Sequence, residues 1–189
     1  MASARFTSNS GFSLIETMVA TMLLATALVG TAQLMAIATN GNVAARRSTF
    51  ATTLAQEKME QLRGLTWGFD SVGLPVSDFA SDLAVDPVTS NGKGLSPSPA
   101  DALSANTVGY VDYVDREGES LGGGQTPPTA TAYVRRWSVE PLPTNPNNTL
   151  ILQVLVFSVG DRPNSGQGTV LDRVRDEARL VTVKTRKSR

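Results

Sequence analysis

The sequence predicts an α+β fold: one long N-terminal helix, half membrane-spanning and half amphipathic, packed on a four-stranded antiparallel sheet. Three observations predict it. From Thr17 to Ala45 no residue carries a formal charge. From Phe50 to Leu62 apolar residues return every three or four positions. Beyond residue 106, four segments rich in β-branched and aromatic residues are separated by Gly, Pro and Asn clusters.

The first element is the uncharged run, 29 residues long from Thr17 to Ala45. Its centre, Met18 to Gly30, continues through Leu34, Met35 and Ile37. About 20 apolar residues suffice for a helix to cross the hydrocarbon layer. A cleaved secretory signal has a core of about 7–15 residues, much shorter than this run. The interspersed threonines can return their hydroxyls to helix carbonyls and are tolerated in lipid. A plain signal anchor has the right length but gives no reason for the acid at Glu16. A carboxylate at the centre of a bilayer helix costs about 2.5–3.5 kcal/mol, so intramembrane charges point to function. Glu16 stands near the start of the span, where reaching toward the interface is the simpler account.

The second element continues the helix. Phe50, Ala51, Leu54, Ala55, Met59 and Leu62 form one apolar stripe at a period of 3.6. Gln56, Glu57, Lys58, Glu60, Gln61 and Arg63 are expected largely on the remaining surface. Arg63 suits the last turn, and Gly64 suits the position just beyond it.

Residues 65–106 are rich in Gly, Ser, Pro, Asp and Asn with no sustained period. They read as a long surface connection with a short helical turn near Val76–Leu83. Strand signals follow at Thr107–Asp115, Thr129–Glu140, Leu150–Val159 and Ala178–Thr185. In the second of these, Tyr133, Arg135, Trp137 and Val139 fall on one face. The third is nearly continuously apolar and reads as a central strand. Gly122-Gly123-Gly124, Pro141 to Asn148 and Asp161 to Gly168 mark the turns.

The formal net charge is zero, with 17 bases and 17 acids, but its distribution is uneven. Residues 1–64 carry five bases and three acids, residues 65–130 two and nine, and residues 131–189 ten and five. An acidic middle and a basic tail can attract each other within the chain or between copies. There is no histidine and no cysteine, which removes imidazole bases, thiolate nucleophiles, disulfides and nearly all zinc chemistry.

The hexapeptide Gly11-Phe12-Ser13-Leu14-Ile15-Glu16, after a polar leader containing Arg5, resembles the processing site of type IV prepilins and pseudopilins. The resemblance implies cleavage after Gly11 by a prepilin peptidase and N-methylation of Phe12. It also makes Glu16 the fifth mature residue, the glutamate that neutralises the Phe12 amine of a neighbouring subunit during assembly. The Leu54–Arg63 segment is likewise similar to minor pilins and pseudopilins. The Tyr133–Val139 strand, with the apolar strand and late Val-Thr-Val strand after it, resembles minor pilins of the PilV kind, the type IV pilus modification proteins. Two features depart from the family pattern. No proline precedes Pro75, where major pilins carry one in the helix, and the absence of cysteine removes the C-terminal disulfide loop. The weak points of this helix are instead Gly30, Gly41 and the Thr39–Asn42 cluster.

The resemblance implies a leader over 1–11, a transmembrane and assembly helix over 12–41, and an extracytoplasmic pilin-like domain over 42–189. Within the domain, the amphipathic helix covers 42–63, the loop 65–106 and the sheet 107–185. The implied function is that of a minor pilin, a structural subunit for assembly or decoration of a type IV pilus. A minor pseudopilin of type II secretion and a DNA-binding competence pilin are the alternatives. The expected partners are other pilin subunits through the N-terminal helix, the prepilin peptidase and the inner membrane. Arg5 and the amine before the span nearly balance Arg46 and Arg47 after it. An N-terminus-in orientation, with a single pass and later residence in a surface pilus, therefore comes from the resemblance.

No enzymatic activity, cofactor or metal is expected. Asp112, Asp115, Glu117 and Glu119 lie close together but lack calcium-loop spacing and read as a solvated loop. The glycine triplet lacks the lysine of a phosphate loop. Arg173, Arg175, Arg179, Lys184, Arg186, Lys187 and Arg189 form a basic end read as a solvated strand and tail or the partner of an acidic neighbour. With no net basic excess, nucleic acid is not an expected partner.

Overall fold

The computed structural model describes residues 11–159 and 177–187. The polar leader, the Asp161–Gly168 turn, Arg173, Arg175 and Arg189 lie outside the described residues. One helix, α1 (Leu14–Gly64), opens the chain. Among the described residues eight strands follow: β1 (Trp67–Phe69), β2 (Pro75–Ser77), β3 (Ser81–Asp82), β4 (Thr89–Ser90), β5 (Val111–Val114), β6 (Tyr133–Pro141), β7 (Thr149–Ser158) and β8 (Ala178–Thr185). The last four form an antiparallel sheet in the order β5-β6-β7-β8, so the α+β prediction holds. By internal packing the chain divides into two compact units, one ending at Val43 and the other beginning at Ala44.

In the first unit, every described residue is exposed. Beyond the first turn its backbone donors pair along α1, and its threonines follow suit. Thr21 donates to the carbonyls of Thr17 and Met18, Thr26 to Met22, Thr31 to Leu28 and Thr39 to Met35. These hydroxyls need neither water nor a partner, which suits an apolar solvent. The most apolar 18-residue window of the helix has a mean hydropathy of 1.7, long and apolar enough to cross a membrane.

The second unit holds the core. Ala51, Leu54, Ala55, Met59 and Leu62 of α1 pack with Trp137 and Val139 of β6 and Leu150, Leu152, Val154 and Val156 of β7. The register sets Trp137 opposite Val154 and Val139 opposite Leu152, so these side chains share one face of the sheet. On the opposite face Val111, Tyr113, Val134, Leu155 and Phe157 make a second cluster, against which Leu103 and Leu121 pack. Burial on both faces explains why β7 reads as almost continuously apolar.

Three sequence expectations change. The first strand is shorter than Thr107–Asp115, because Tyr110 closes a turn onto the Thr107 carbonyl and Gly109 takes a φ of 85°. The second begins at Tyr133, after Thr131 donates back to the Pro128 carbonyl. Residues 65–106 carry two small antiparallel ribbons, β1-β2 and β3-β4, in place of a loop with a helical turn. Val76 sits in β2. The following turn is shaped by the Asp78 carboxylate, which accepts the N–H groups of Ala80 and Ser81 and the Ser81 hydroxyl. Burial alone would raise the Asp78 pKa, but these hydrogen bonds outweigh it and hold the carboxyl below its ordinary value. Asp70 plays the same part in the β1-β2 hairpin, accepting from Val72 and Leu74 around Gly73 at φ 88°.

Candidate functional site

The predicted site residues lie at the start of α1. Gly11 and Phe12 precede the helix, and Phe12 is 83% exposed. Glu16 sits in the first turn and is also exposed. Between them Ser13 acts as the N-cap: its Oγ accepts the Glu16 N–H at 3.2 Å, and its carbonyl accepts from Glu16 and Thr17. Ser13-Leu14-Ile15-Glu16 therefore has the spacing of a capping box, a signal legible in the sequence. The acid in the first turn also complements the positive end of the helix dipole. Capping fixes where the helix begins and leaves the Glu16 carboxylate on the surface.

A second group of polar residues lies inside the domain. Lys58, expected on the helix surface, is 1% exposed. Its ammonium pairs with Asp112 at 2.8 Å, donates to the Leu83 carbonyl at 2.6 Å, and lies 4.9 Å from the Trp137 ring centroid. Asp112 also receives two hydrogen bonds from Arg135, from Nε at 2.8 Å and Nη2 at 2.7 Å. Arg135 in turn reaches Glu57 at the rim, at 3.5 Å. Asp112 is thus a buried β5 residue rather than part of a solvated acidic loop. Asp115 behaves differently, turning its carboxylate onto the N–H groups of Glu117, Gly118 and Glu119.

Burial pushes the Lys58 pKa below its ordinary value, with Asp112 opposing the shift and Arg135 adding to it. Arg135 moves the other way. Burial disfavours its charge, but the hydrogen bonds and charge of Asp112 outweigh burial and raise its pKa. The arrangement is two cations around one carboxylate, with the Leu83 carbonyl and Glu57 absorbing the excess. Lys58 was accessible to sequence reasoning, since it lies four residues from both Leu54 and Leu62 on the buried stripe. Its partners were not, because they come from the sheet.

Part of the basic end is also structural. Lys184 donates to the carbonyls of Leu62, Arg63 and Leu65, capping the C-terminus of α1. Arg186 stacks 3.6 Å from the Trp67 ring centroid and donates to the carbonyls of Gly68, Val76 and Asn147. The expectation of a solvated tail fails for these two residues. Among the described residues, no group of three or more acidic, His or Cys side chains is placed to hold a metal. Comparison with protein-family models, curated proteins and solved structures finds no match to this chain.

Proposed function

We propose that the chain is a type IV pilin-like subunit, a minor pilin that takes part in assembling or decorating a pilus. The observation that carries this is the joining of Gly11-Phe12-Ser13-Leu14-Ile15-Glu16 to an uncharged run on one uninterrupted helix. Cleavage after Gly11 places a new amine on Phe12, ahead of a helix whose apolar surface has no cover in the isolated chain. Lipid covers it before assembly, and the equivalent helices of other subunits cover it in a filament. Transfer between these two environments needs side chains that are quiet in both, and the self-satisfied threonines meet that need. Pairing Glu16 of one subunit with the Phe12 amine of the next removes two poorly solvated charges together and sets an axial register. A carboxylate left exposed in the first turn is available for that role.

A minor pseudopilin of type II secretion would use the same leader and helix, and assembly partners distinguish the two. The basic end supports a DNA-binding role less well, because Lys184 and Arg186 are spent on backbone carbonyls. Neither the domain nor the N-terminal segment offers a nucleophile–base pair built on His or Cys.

Processing is the direct test. Co-expression with a prepilin peptidase is expected to remove residues 1–11 and leave N-methyl-Phe12, read by intact mass and N-terminal sequencing. An unprocessed chain, or a cut after Ala38, would overturn the proposal.

A further inference from the structure

A groove of about 610 Å³ opens between β1 and β8, at the point where α1 ends. Among the described residues, β1 pairs only with β2, and β8 only with β7. The ladder pattern shows which backbone groups are left over. Asp78 donates to Thr66 and Asp70 to Leu74, so Thr66, Gly68 and Asp70 face β2, while Trp67 and Phe69 turn their N–H and C=O groups outward. Arg186 donates to Asn148, so the even-numbered residues of β8 face β7, and Val183 and Thr185 turn theirs outward. All four outward-facing residues line the groove. Two strand edges thus border one cleft.

Its chemistry is one-sided. Arg63, Lys184 and Lys187 line it, and among the described residues no carboxylate does. Arg63 is partly neutralised by Glu60 at 2.8 Å. Val183 is 58% exposed and Phe69 38%, so the edges also carry apolar side chains that solvent does not favour. Charged residues, especially lysine, ordinarily blunt an edge strand against pairing. Lys184 cannot do so, because its ammonium is drawn to the carbonyls at the end of α1. No proline interrupts β8.

We infer that the groove between β1 and β8 is a strand-docking site for an extended, carboxylate-bearing segment of another polypeptide. Backbone groups of the guest pair with the outward groups of Val183 and Thr185, and its carboxylates meet Arg63 and Lys187. A second copy of this chain is a poor occupant through the same edge. An antiparallel β8–β8 pair centred on Val183 would set Arg179 of one copy against Lys187 of the other and bring the two Lys184 side chains together. A nucleic acid would satisfy the cations but not the outward N–H and C=O groups. The site belongs to the domain and stands whether or not the chain assembles through α1.

The test uses the full chain in detergent micelles and a fluorescent peptide of alternating Asp and Val, matched to the eight residues of β8. Anisotropy is expected to report saturable binding that weakens with added salt. Lys187→Glu should weaken it about tenfold through charge alone. Val183→Pro should do so by removing an outward donor while keeping the β7 ladder, and both variants should retain the wild-type circular dichroism spectrum. A Lys/Val peptide should not bind. Equal binding of the Lys/Val peptide, indifference to Lys187→Glu, or displacement of the acidic peptide by a short oligonucleotide would overturn the assignment. So would a homodimer trapped by a photocrosslinker at Val183.

Discussion

Glu16 and Lys58 are charges on the same helix that the chain treats in opposite ways. Glu16 is exposed in the first turn, and its backbone N–H bonds to Ser13. Lys58 is buried under the sheet and held by Asp112, Leu83 and the face of Trp137. The surroundings differ in the same sense. From Gly11 to Thr49 every residue is exposed, whereas Ala51, Leu54, Ala55, Met59 and Leu62 are buried. One part of α1 meets its needs inside the chain. The other is apolar and exposed, and is long and apolar enough to cross a membrane.

If this contrast is right, breaking the buried charge network should cost most. Asp112→Ala leaves Lys58 and Arg135 buried without their shared counter-charge, and about 3–5 kcal/mol of domain stability is expected to be lost. Urea unfolding of the domain reads this directly. Lys58→Met should cost clearly less, because Asp112 keeps both hydrogen bonds from Arg135. An equal cost for the two variants would mean that the triad does not act through charge balance.

Next in size is the stripe itself. Leu62→Ala removes a side chain with no exposure and is expected to cost about 2–5 kcal/mol. The equivalent change at Leu24, 60% exposed, should leave unfolding of the domain unchanged. A large domain effect at Leu24 would break the distinction between the two parts of the helix.

Glu16→Ala sharpens the other side of the comparison. Membrane insertion and processing after Gly11 should persist, because removing a charge lowers the cost of insertion. Under the pilin proposal incorporation into filaments should fall, since a Phe12 amine would then lack the Glu16 counter-charge. Membrane fraction, N-terminal methylation and pilus-associated protein, measured in parallel, separate these outcomes. Normal incorporation of the variant would make Glu16 a helix-terminus acid and nothing more.

The smallest effect concerns Asp78. Its pKa is lowered in the folded domain from an ordinary 3.8, so its contribution is complete above 3.8 and is lost as pH falls through the folded value. Unfolding midpoints between neutral and strongly acid pH should therefore converge for wild type and Asp78→Asn. A difference that stays constant across that range would rule out the carboxylate as its source.

Much of this architecture was legible because its signals are local. The uncharged run, the stripe from Phe50 to Leu62 and the strand at Ala178–Thr185 are each written in consecutive residues. The ribbons in residues 65–106 were not legible, since strands of two or three residues are too short to show a period. Asp112 was misplaced for a related reason. It looked like one of four nearby acids, and only its register opposite Arg135 separates it from Asp115. Ser13 is legible as a cap, because a serine three residues before a glutamate at the start of an apolar run has capping-box spacing.

Neighbouring residues are enough to place a helix apolar enough for a membrane, a motif ahead of it, and a mixed α+β segment after it. Those properties depend on the spacing of apolar residues and on the absence of charge, which neighbouring positions report. Long-range packing settles which charges are buried and which strand edges stand unpaired among the described residues. It brought Lys58 to Asp112, Lys184 to the end of α1, and β1 beside β8. Such pairings depend on strand order and register across long separations, because burial of a charge is tolerable only where a distant segment supplies its partner.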